Sequence, residues 1–431
     1  MKQIIWFTFF LGLYLITTPF ISNAKDEPLP IYEKKISDKE GVLNKDLIRV
    51  PFRLLKLTNV NVSQEDGESA VIAPEKNVSQ SDEDVNIFDQ PLWVSGELNP
   101  VYIKWYSSKL HNLIQYINLY TFRNIFLIMP TTTTDTLAEG TDRIRVGGNL
   151  SSVFSRQTQG RFDAQFDYEV IEGYVLLNYG LMKNLEGGIY TRFFHYSAGR
   201  LDGPKNKFEK AVRGSSGNRG QFLDNQYAHI LKIDGKEIQS GKKNEVGLGD
   251  VIATLKYKVL DEKTNIPAIT IMGALKMPIG DQDQGFGSGT WDIGSSLILS
   301  KHLTNRLRTH LNLGAAKPLG NGNFPNTATV FSIISAIEYA FNKTWQVALQ
   351  ANYSTSPFRR TGIDAISKNS FNMGGVVTYN FDSGIILNLS FIDEIFHTGD
   401  PDYKFGWSID IWPLITSGED QDEANEEALE E

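Results

Sequence analysis

Hydrophobic and polar residues alternate one by one from Arg143 almost to the end of this 431-residue chain. In the segment 344–355, for example, Trp345, Val347 and Leu349 alternate with polar or small residues. A period of two places successive side chains on opposite faces of a β-strand. The pattern predicts twelve strands, at 142–156, 162–181, 185–198, 249–260, 266–277, 290–300, 305–316, 328–341, 344–355, 370–380, 384–393 and 403–412.

The connections between these strands help to distinguish a membrane barrel from a soluble sandwich, whose strands alternate in the same way. Short connections such as 342–343 take turns with long ones such as 199–248, and only 157–161 is not clearly of either kind. Short periplasmic turns, long external loops and aromatic residues at strand ends are typical of outer-membrane barrels. We therefore predict an all-β fold, an antiparallel up-and-down transmembrane β-barrel of about 12 strands over residues 118–412. A soluble periplasmic β protein is the alternative.

The N-terminus has the pattern of an export signal. Lys2 precedes an apolar run from Ile4 to Thr18, and Ser22-Asn23-Ala24 then offers a cleavage site. The run is shorter than the roughly 20 apolar residues that span a bilayer, so we predict a cleaved signal peptide over 1–24. The chain contains no cysteine, which excludes a lipid anchor on cysteine, disulfides and thiolate chemistry. The mature chain is therefore expected in the outer membrane of a bacterial cell.

The regions that flank the predicted barrel differ from it in composition. Residues 25–117 are expected to be a periplasmic leader, partly disordered, and its apolar end around 102–130 is expected to plug or cap the barrel mouth. Residues 413–431 are expected to be a disordered acidic tail, because eight acidic residues and no Lys or Arg lie between 418 and 431. Without those eight charges the net charge rises from −9 to −1, so no basic surface indicates a nucleic-acid partner.

No motif in the sequence indicates an enzyme. Gly285, Gly287 and Gly289 do not meet the G-x-S-x-G spacing of a nucleophile elbow, and the six histidines are scattered without metal-ligand spacing. We expect no catalytic residues, no metal and no cofactor. Catalytic groups brought together from separate strands would escape this test.

The barrel interpretation also predicts which side chains face the lumen. If Leu307 and Leu311 face lipid, then Arg306, Arg308 and His310 face inward, and the same rule applies to every strand. The predicted lumen-lining residues are Arg143, Arg145, Arg192, Lys256, Lys276, Arg306, Arg308 and His310. Fewer inward acids are predicted, namely Glu186, Asp292, Glu338 and Asp410. This excess predicts a positive lumen suited to a small anionic solute, whereas the alternative is a set of ion pairs that fills the lumen.

Short motifs also mark the loops and strand ends. They are Arg123-Asn124-Ile125-Phe126, Pro130, Leu137-Ala138-Glu139-Gly140, Leu201-Asp202-Gly203, Ile233-Asp234-Gly235, Gly247-Leu248-Gly249-Asp250, Lys256-Tyr257, Leu275-Lys276-Met277-Pro278-Ile279-Gly280 and Gly287-Ser288-Gly289. Over about 118–412 they resemble the proteobacterial family called domain of unknown function 3187. The last two are also similar to outer-membrane proteins of the phenol-degradation meta-pathway type.

The resemblance implies an outer-membrane barrel that contacts outer-membrane lipid and the assembly machinery. The acidic tail departs from the terminal aromatic residue of ordinary outer-membrane barrels, so recognition by that machinery would depend on the strand end at 407–412. Two functions remain open. One is a narrow channel or transporter for small solutes, and the other is a structural or surface-interaction barrel that presents the loop 199–248, with its ten Lys or Arg residues, to the outside.

Overall fold

The computed structural model of the chain describes residues 88, 90–99, 113–115, 123, 125–198, 226–324, 327–358, 361–381, 384–394 and 403–411. The predicted signal peptide, most of the leader, the loop part 199–225 and the acidic tail lie outside these residues. In the described chain the strands are β1 (Trp93–Val94), β2 (Glu97–Leu98), β3 (Asp142–Gln159), β4 (Phe162–Met182), β5 (Leu185–Ser197), β6 (Ala228–Ile233), β7 (Lys236–Ser240), β8 (Val246–Leu248), β9 (Val251–Leu260), β10 (Ala268–Met277), β11 (Asp292–His302), β12 (Leu307–Pro318), β13 (Val330–Ala340), β14 (Trp345–Ser354), β15 (Ser370–Asn380), β16 (Ile386–Glu394) and β17 (Tyr403–Ile411).

Twelve of the described strands close into an antiparallel barrel. β3, β4 and β5 pair in order, β9 to β17 continue the sheet, and β17 returns to β3. The closing seam runs from Lys404 opposite Ser151 to Ile411 opposite Ile144. All twelve strands predicted from the alternating pattern are present, so the predicted fold class is confirmed.

In the structure, the apolar positions of the alternating pattern face outward and the polar positions face the barrel interior. In β14, Trp345 and Leu349 are exposed on the outer surface, whereas Gln346 and Gln350 are buried inside. Outward positions of the other strands are likewise apolar, and many stand more than a third exposed, as Leu255, Ile293 and Phe405 do. The barrel therefore has an apolar exterior and a polar interior, the reverse of a soluble sandwich.

The two ends of the barrel differ. At one end, here called the turn end, the connections are 183–184, 261–267, 303–306, 341–344 and 381–385. Asn184 adopts φ 66° in the shortest of them, a left-handed conformation that asparagine tolerates. At the other end, the loop end, the connections are 160–161, 198–250, 278–291, 319–329, 355–369 and 395–402. The alternation of short and long connections is confirmed except at 160–161, where a two-residue turn closes β3 and β4.

The loop end carries structure that the pattern did not predict. The outer halves of β3 and β4 project beyond the barrel, and β6 pairs with Phe162–Asp167 of β4. β7 then pairs with β6, so residues 228–240 of the long connection form a hairpin. A short helix, α1, spans Asp364–Ser367 in another loop. Among the described residues, no helix has the length and apolar character needed to cross a bilayer.

Candidate functional site

A segment of the chain ahead of β3 runs through the barrel interior. This inner segment, residues 125–138, meets the loop end where the Leu127 N–H donates to Asp292 Oδ2 at 2.7 Å. It meets the turn end where the Leu137 N–H donates to Glu186 Oε2 at 2.9 Å. Between them, Thr134 N lies 3.4 Å from Ser300 Oγ. The eight residues from Leu127 to Thr134 thus span about the same distance as the nine residues of β11 from Asp292 to Ser300, so the segment is nearly fully extended.

The inner segment is held by side chains and joins no strand of the sheet in the described chain. Its Thr132 N–H donates to Asn312 Oδ1 at 3.1 Å, and its Thr134 carbonyl accepts from Thr270 Oγ1 at 2.8 Å. Two nitrogens of Arg308 donate to the Asp135 carboxylate, at 2.7 and 3.1 Å. Lys256 Nζ donates to the Asp135 carbonyl at 2.7 Å. Because buried backbone groups need partners, the lumen wall supplies them from its own polar side chains.

A second described piece of the leader lies against another part of the wall. The Ile114 N–H donates to Gln350 Oε1 at 3.0 Å, and Gln350 Nε2 donates back to the Ile114 carbonyl at 2.9 Å. Gln115 Nε2 reaches the Thr131 carbonyl of the inner segment at 3.1 Å. Described residues of the apolar stretch 102–130 therefore lie inside the barrel, and polar side chains fix them there.

Charged groups line the lumen in pairs. Arg145 binds Asp410 through two nitrogens at 2.6 and 2.9 Å, and both side chains are buried. Further pairs join strands around the wall: Lys256–Glu186 at 3.1 Å, Lys404–Glu172 at 3.1 Å, Arg192–Glu172 at 3.5 Å and His310–Glu338 at 3.2 Å. Within a low-dielectric interior such charges need partners, and the lumen provides them.

This pairing overturns the expectation of a positive lumen. Among the described residues, nine Arg or Lys side chains are buried against ten Asp or Glu side chains. Three of the acids missed by the inward rule hold predicted cations: Asp135 holds Arg308, Glu172 holds Arg192 and Asp250 holds Lys276. Asp135 lies outside the predicted strands, where an alternation rule assigns no face, whereas Asp250 lies in the predicted strand 249–260, on the same face as Lys256, and was not named among the inward acids.

Seven of the eight predicted lumen-lining residues are buried inside the barrel: Arg143, Arg145, Arg192, Lys256, Lys276, Arg308 and His310. Arg306 is a correction, because β12 begins only at Leu307 and Arg306 belongs to the turn 303–306. Its guanidinium lies 4.3 Å from the centre of the Phe88 ring and donates to the Phe341 carbonyl. Of the three cations predicted to face inward at 306, 308 and 310, Arg308 and His310 lie in the lumen, and both are paired with acids.

Residues of the glycine-rich motifs meet at the loop end of the lumen. Lys276 Nζ binds Asp250 at 2.5 Å, Ser288 Oγ at 2.6 Å and Asp292 at 3.4 Å. A Cβ on Gly287 would lie 2.5 Å from Asp250 Oδ1, so only glycine lets the loop approach this close. Since Asp292 also accepts the Leu127 N–H, this cluster connects the loop 278–291 to the inner segment.

Ser300, His310 and Glu338 form a hydrogen-bonded series across three strands. His310 Nδ1 lies 2.9 Å from Ser300 Oγ, and His310 Nε2 lies 3.2 Å from Glu338 Oε2. Such residue types also make nucleophilic sites, and a sequence cannot reveal one assembled from separate strands. Here the Ser300 hydroxyl is fully buried beside Thr134 of the inner segment, so the series serves to hold that segment.

Small cavities lie between the described leader residues and the lumen wall. Two of them measure about 20 and 30 Å³. The larger is lined by Pro130, Arg143, Glu186 and Lys256 among others. One water needs roughly 10–15 Å³ of such volume, so each cavity holds one to three waters. Neither of these two cavities has room for a solute much larger than a few waters.

Above the charged lumen, the loop end is filled by aromatic side chains. Tyr196 stacks on Phe286 at 5.3 Å between ring centres, and Tyr168 stacks on His229 at 4.4 Å. Phe126 of the inner segment packs edge-on against Phe358 at 5.2 Å. This cluster, here called the aromatic cap, also contains Phe166, Phe194, Leu231, Ile233, Ile238 and Phe324. The β6–β7 hairpin contributes three of those apolar residues.

Comparisons with known proteins agree with part of the sequence interpretation. Residues 205–394 match the family described as "Putative MetA-pathway of phenol degradation". The match covers less than half of the chain. It agrees with the noted similarity to phenol-degradation outer-membrane proteins, while the resemblance to domain of unknown function 3187 stays a prediction. Among curated proteins, none matches the chain significantly.

Solved structures with a similar architecture include two from Pseudomonas putida. The COG4313 outer membrane channel from strain F1 is 14% identical, with 65% of this chain and 97% of that chain covered and a TM-score of 0.44. The toluene transporter TodX is 10% identical, with 71% and 100% covered and a TM-score of 0.32. At scores below 0.5 these similarities support no statement about what this chain transports.

Proposed function

We propose that the chain is an outer-membrane channel for small solutes and that the inner segment closes it. Support for a membrane location comes from the exterior, where apolar side chains cover the outward positions of the described strands. Aromatic residues gather at the turn end, where Trp345 packs on Tyr379 at 4.8 Å and Tyr339 on Phe341 at 5.1 Å. An apolar belt with an aromatic girdle fits a bilayer and its interface. Insertion there requires the outer-membrane assembly machinery.

One observation carries the proposal of a channel. The occupant of the lumen is a stretch of the chain's own backbone, held by wall side chains through hydrogen bonds and the Asp135–Arg308 ion pair. A barrel with only a structural role can fill its interior with interdigitating side chains. A wall of Arg, Lys, Asp, Glu, Asn and Thr becomes hydrated when its occupant leaves. The closed state is therefore built on an interior that suits an aqueous pore.

The test is conductance in planar bilayers. We expect the full mature chain to be nearly silent. Deletion of residues 25–138, which leaves β3 to β17 intact, should give stable open channels, because the inner segment is gone. Heat-modifiable migration on gels checks that the shortened barrel is folded. A folded, shortened barrel that does not conduct would reject the channel.

The buried positive and negative side chains of the described residues are nearly equal in number, so they do not support the predicted preference for small anionic solutes. The family description names phenol degradation, and the aromatic cap stands at the loop end. We propose that small neutral aromatic solutes are the preferred class. Uptake of phenol and of a polar solute of similar size into liposomes containing the shortened barrel compares the two classes. Equal uptake rates would contradict the preference.

The second candidate is a structural or surface-interaction barrel that presents the loop 199–248. The described part of this loop folds back on the barrel, and its Leu231, Ile233 and Ile238 are buried in the aromatic cap. That packing favours a role in the barrel's own stability. A silent shortened barrel would favour the second candidate.

A further inference from the structure

Residues well ahead of the inner segment form a small hairpin at the turn end of the barrel. β1 and β2 are joined by Ser95 and Gly96, with φ 54° and 84°, the left-handed pair of a two-residue type I′ turn. Asn99 closes the base, since its N–H donates to the Leu92 carbonyl at 2.9 Å and its Nδ2 donates to the Pro91 carbonyl at 3.0 Å. Phe88 and residues 90–99 are here called the rim hairpin.

The rim hairpin binds two barrel turns. At the turn 261–267, Thr264 donates its N–H and its hydroxyl to the Gly96 carbonyl, each at 3.1 Å, and Glu97 forms a bridge with Lys263. At the turn 303–306, Asn305 Nδ2 donates to the Phe88 carbonyl at 3.2 Å and to the Gln90 carbonyl at 3.0 Å. Both turns thus donate hydrogen bonds to carbonyl groups of the rim hairpin.

A lysine between the two turns connects the rim hairpin to the barrel. Lys301 Nζ lies 4.3 Å from the centre of the Trp93 ring, and it donates to the Lys263 carbonyl and to the Thr264 carbonyl. It also lies 3.3 Å from Glu262 Oε1. A cation over an aromatic face is attracted by the ring's negative surface.

The ion pair that holds the inner segment lies close to the same rim. Glu262 binds the ring of His302 at 2.7 Å, and His302 stands directly opposite Arg308 across the sheet. Arg308 holds Asp135 of the inner segment. A series of neighbouring residues therefore connects Trp93 of the rim hairpin to Asp135 of the inner segment. Its members are Lys301, Glu262, His302 and Arg308.

We propose that the rim hairpin is a latch that keeps the inner segment seated, so that its release from the two turns precedes opening of the lumen. This inference rests on the proposed channel. Both attachments of the leader lie at the turn end: the inner segment is joined covalently to β3 there, and the latch contacts the turns 261–267 and 303–306. When the latch leaves the two turns, the leader is freed and the residues beside Arg308 hold it less firmly. The dimensions of the open pore, and so the current per opening, do not change.

The first experiment counts single-channel openings of the full mature chain. Trp93→Ala combined with Asn305→Ala removes the ring contact and two hydrogen bonds. We expect roughly tenfold more frequent openings, the effect of about 1.4 kcal/mol, at an unchanged current per opening. Trp345→Ala is the matched control, because this exposed tryptophan at the start of β14 contacts Tyr379 and lies beside a different turn, 341–344. An unchanged opening frequency would overturn the latch, even where the chain shortened by residues 25–138 conducts.

A second experiment closes the latch covalently. The chain has no cysteine, so Glu97→Cys with Lys263→Cys gives one defined disulfide across the bridged positions. In an Asp135→Asn background, which weakens the grip of Arg308 and raises openings, oxidation should suppress openings and reduction should restore them. Ser335→Cys with Ala351→Cys, paired on the outer face, is the matched control and should have no such effect. Openings that persist in the oxidised latch would overturn the inference, whereas a silent shortened barrel would instead reject the channel.

Discussion

Near the loop end the barrel interior is aromatic, whereas the rest of the lumen is lined by paired charges. Tyr196, Phe286 and Phe358 pack in the aromatic cap through ring contacts, which depend little on any single partner. Below them, Arg145 and Asp410 each depend on the other. Apolar packing is non-directional, but a buried charge that loses its partner carries its full desolvation penalty. The lumen is therefore specific and intolerant of single changes, whereas the cap tolerates them better.

The largest difference between the two regions is expected when one charge of a lumen ion pair is removed. Arg145→Met leaves Asp410 buried without its guanidinium, and we expect a loss of about 3–5 kcal/mol in the free energy of unfolding. The double variant Arg145→Met with Asp410→Leu should recover most of that loss. Urea unfolding in vesicles, followed by tryptophan fluorescence, measures both. A double variant as unstable as the single one would show that the pair is not the relevant unit.

The aromatic cap is expected to weaken in mild acid. Burial lowers the pKa of His229 in the loop-end hairpin from 6.5 to about 3, so the folded cap keeps this ring neutral. The unfolded hairpin takes up a proton below pH 6.5, and the cap therefore loses stability as the pH falls from 6.5 toward 3, by about 1.4 kcal/mol for each unit of pKa difference expressed. Hydrogen exchange of residues 226–248 at pH 7 and pH 5 should show faster opening at pH 5.

His229→Phe is the control for that experiment, because it keeps an aromatic ring and removes the titration. Exchange in this variant should be equal at the two pH values. The rim offers a contrast within the same sample. Burial opposes ionisation of Glu262, but the hydrogen bond from His302 and the charges of His302, Arg308 and Lys301 outweigh it, so the pKa of Glu262 lies below its usual 4.5. Its contribution is present above pH 4.5 and is lost only as the pH falls through that lower value, so the Glu262 carboxylate stays ionised between pH 7 and 5.

The smallest effect is expected at Arg306, which the sequence placed in the lumen and the structure places on a turn. In the barrel shortened by residues 25–138, Arg306→Gln should leave the reversal potential unchanged and alter stability by no more than about 0.5 kcal/mol. Arg308→Gln in the same background is the comparison, and it should shift the reversal potential because this side chain stands inside the lumen. A shift with Arg306→Gln as large as that with Arg308→Gln would return Arg306 to the pathway.

The sequence alone determined the strands and the faces of their residues. A period of two is local, since each residue's side is set by its neighbours along one strand, so the twelve strands could be predicted, and seven of the eight cations that the same rule assigns to the lumen are buried. Arg306 failed because strand ends depend on where a turn begins, and here Thr304 caps a turn that continues to Leu307.

Only the tertiary structure decided how the lumen is filled and closed. Whether Arg145 is a free pore charge depends on the register that sets β17 against β3 and brings Asp410 opposite it, and register is a long-range property. The same holds for Asp135 and Asp250, whose partners Arg308 and Lys276 lie on strands 173 and 26 residues further along the chain. The polar stretch 131–134 shows no periodicity that indicates burial, yet it crosses the barrel because Asn312, Ser300 and Thr270 meet its backbone there. A backbone without alternation gains a buried position only when a folded wall supplies the hydrogen-bond partners that water would otherwise provide.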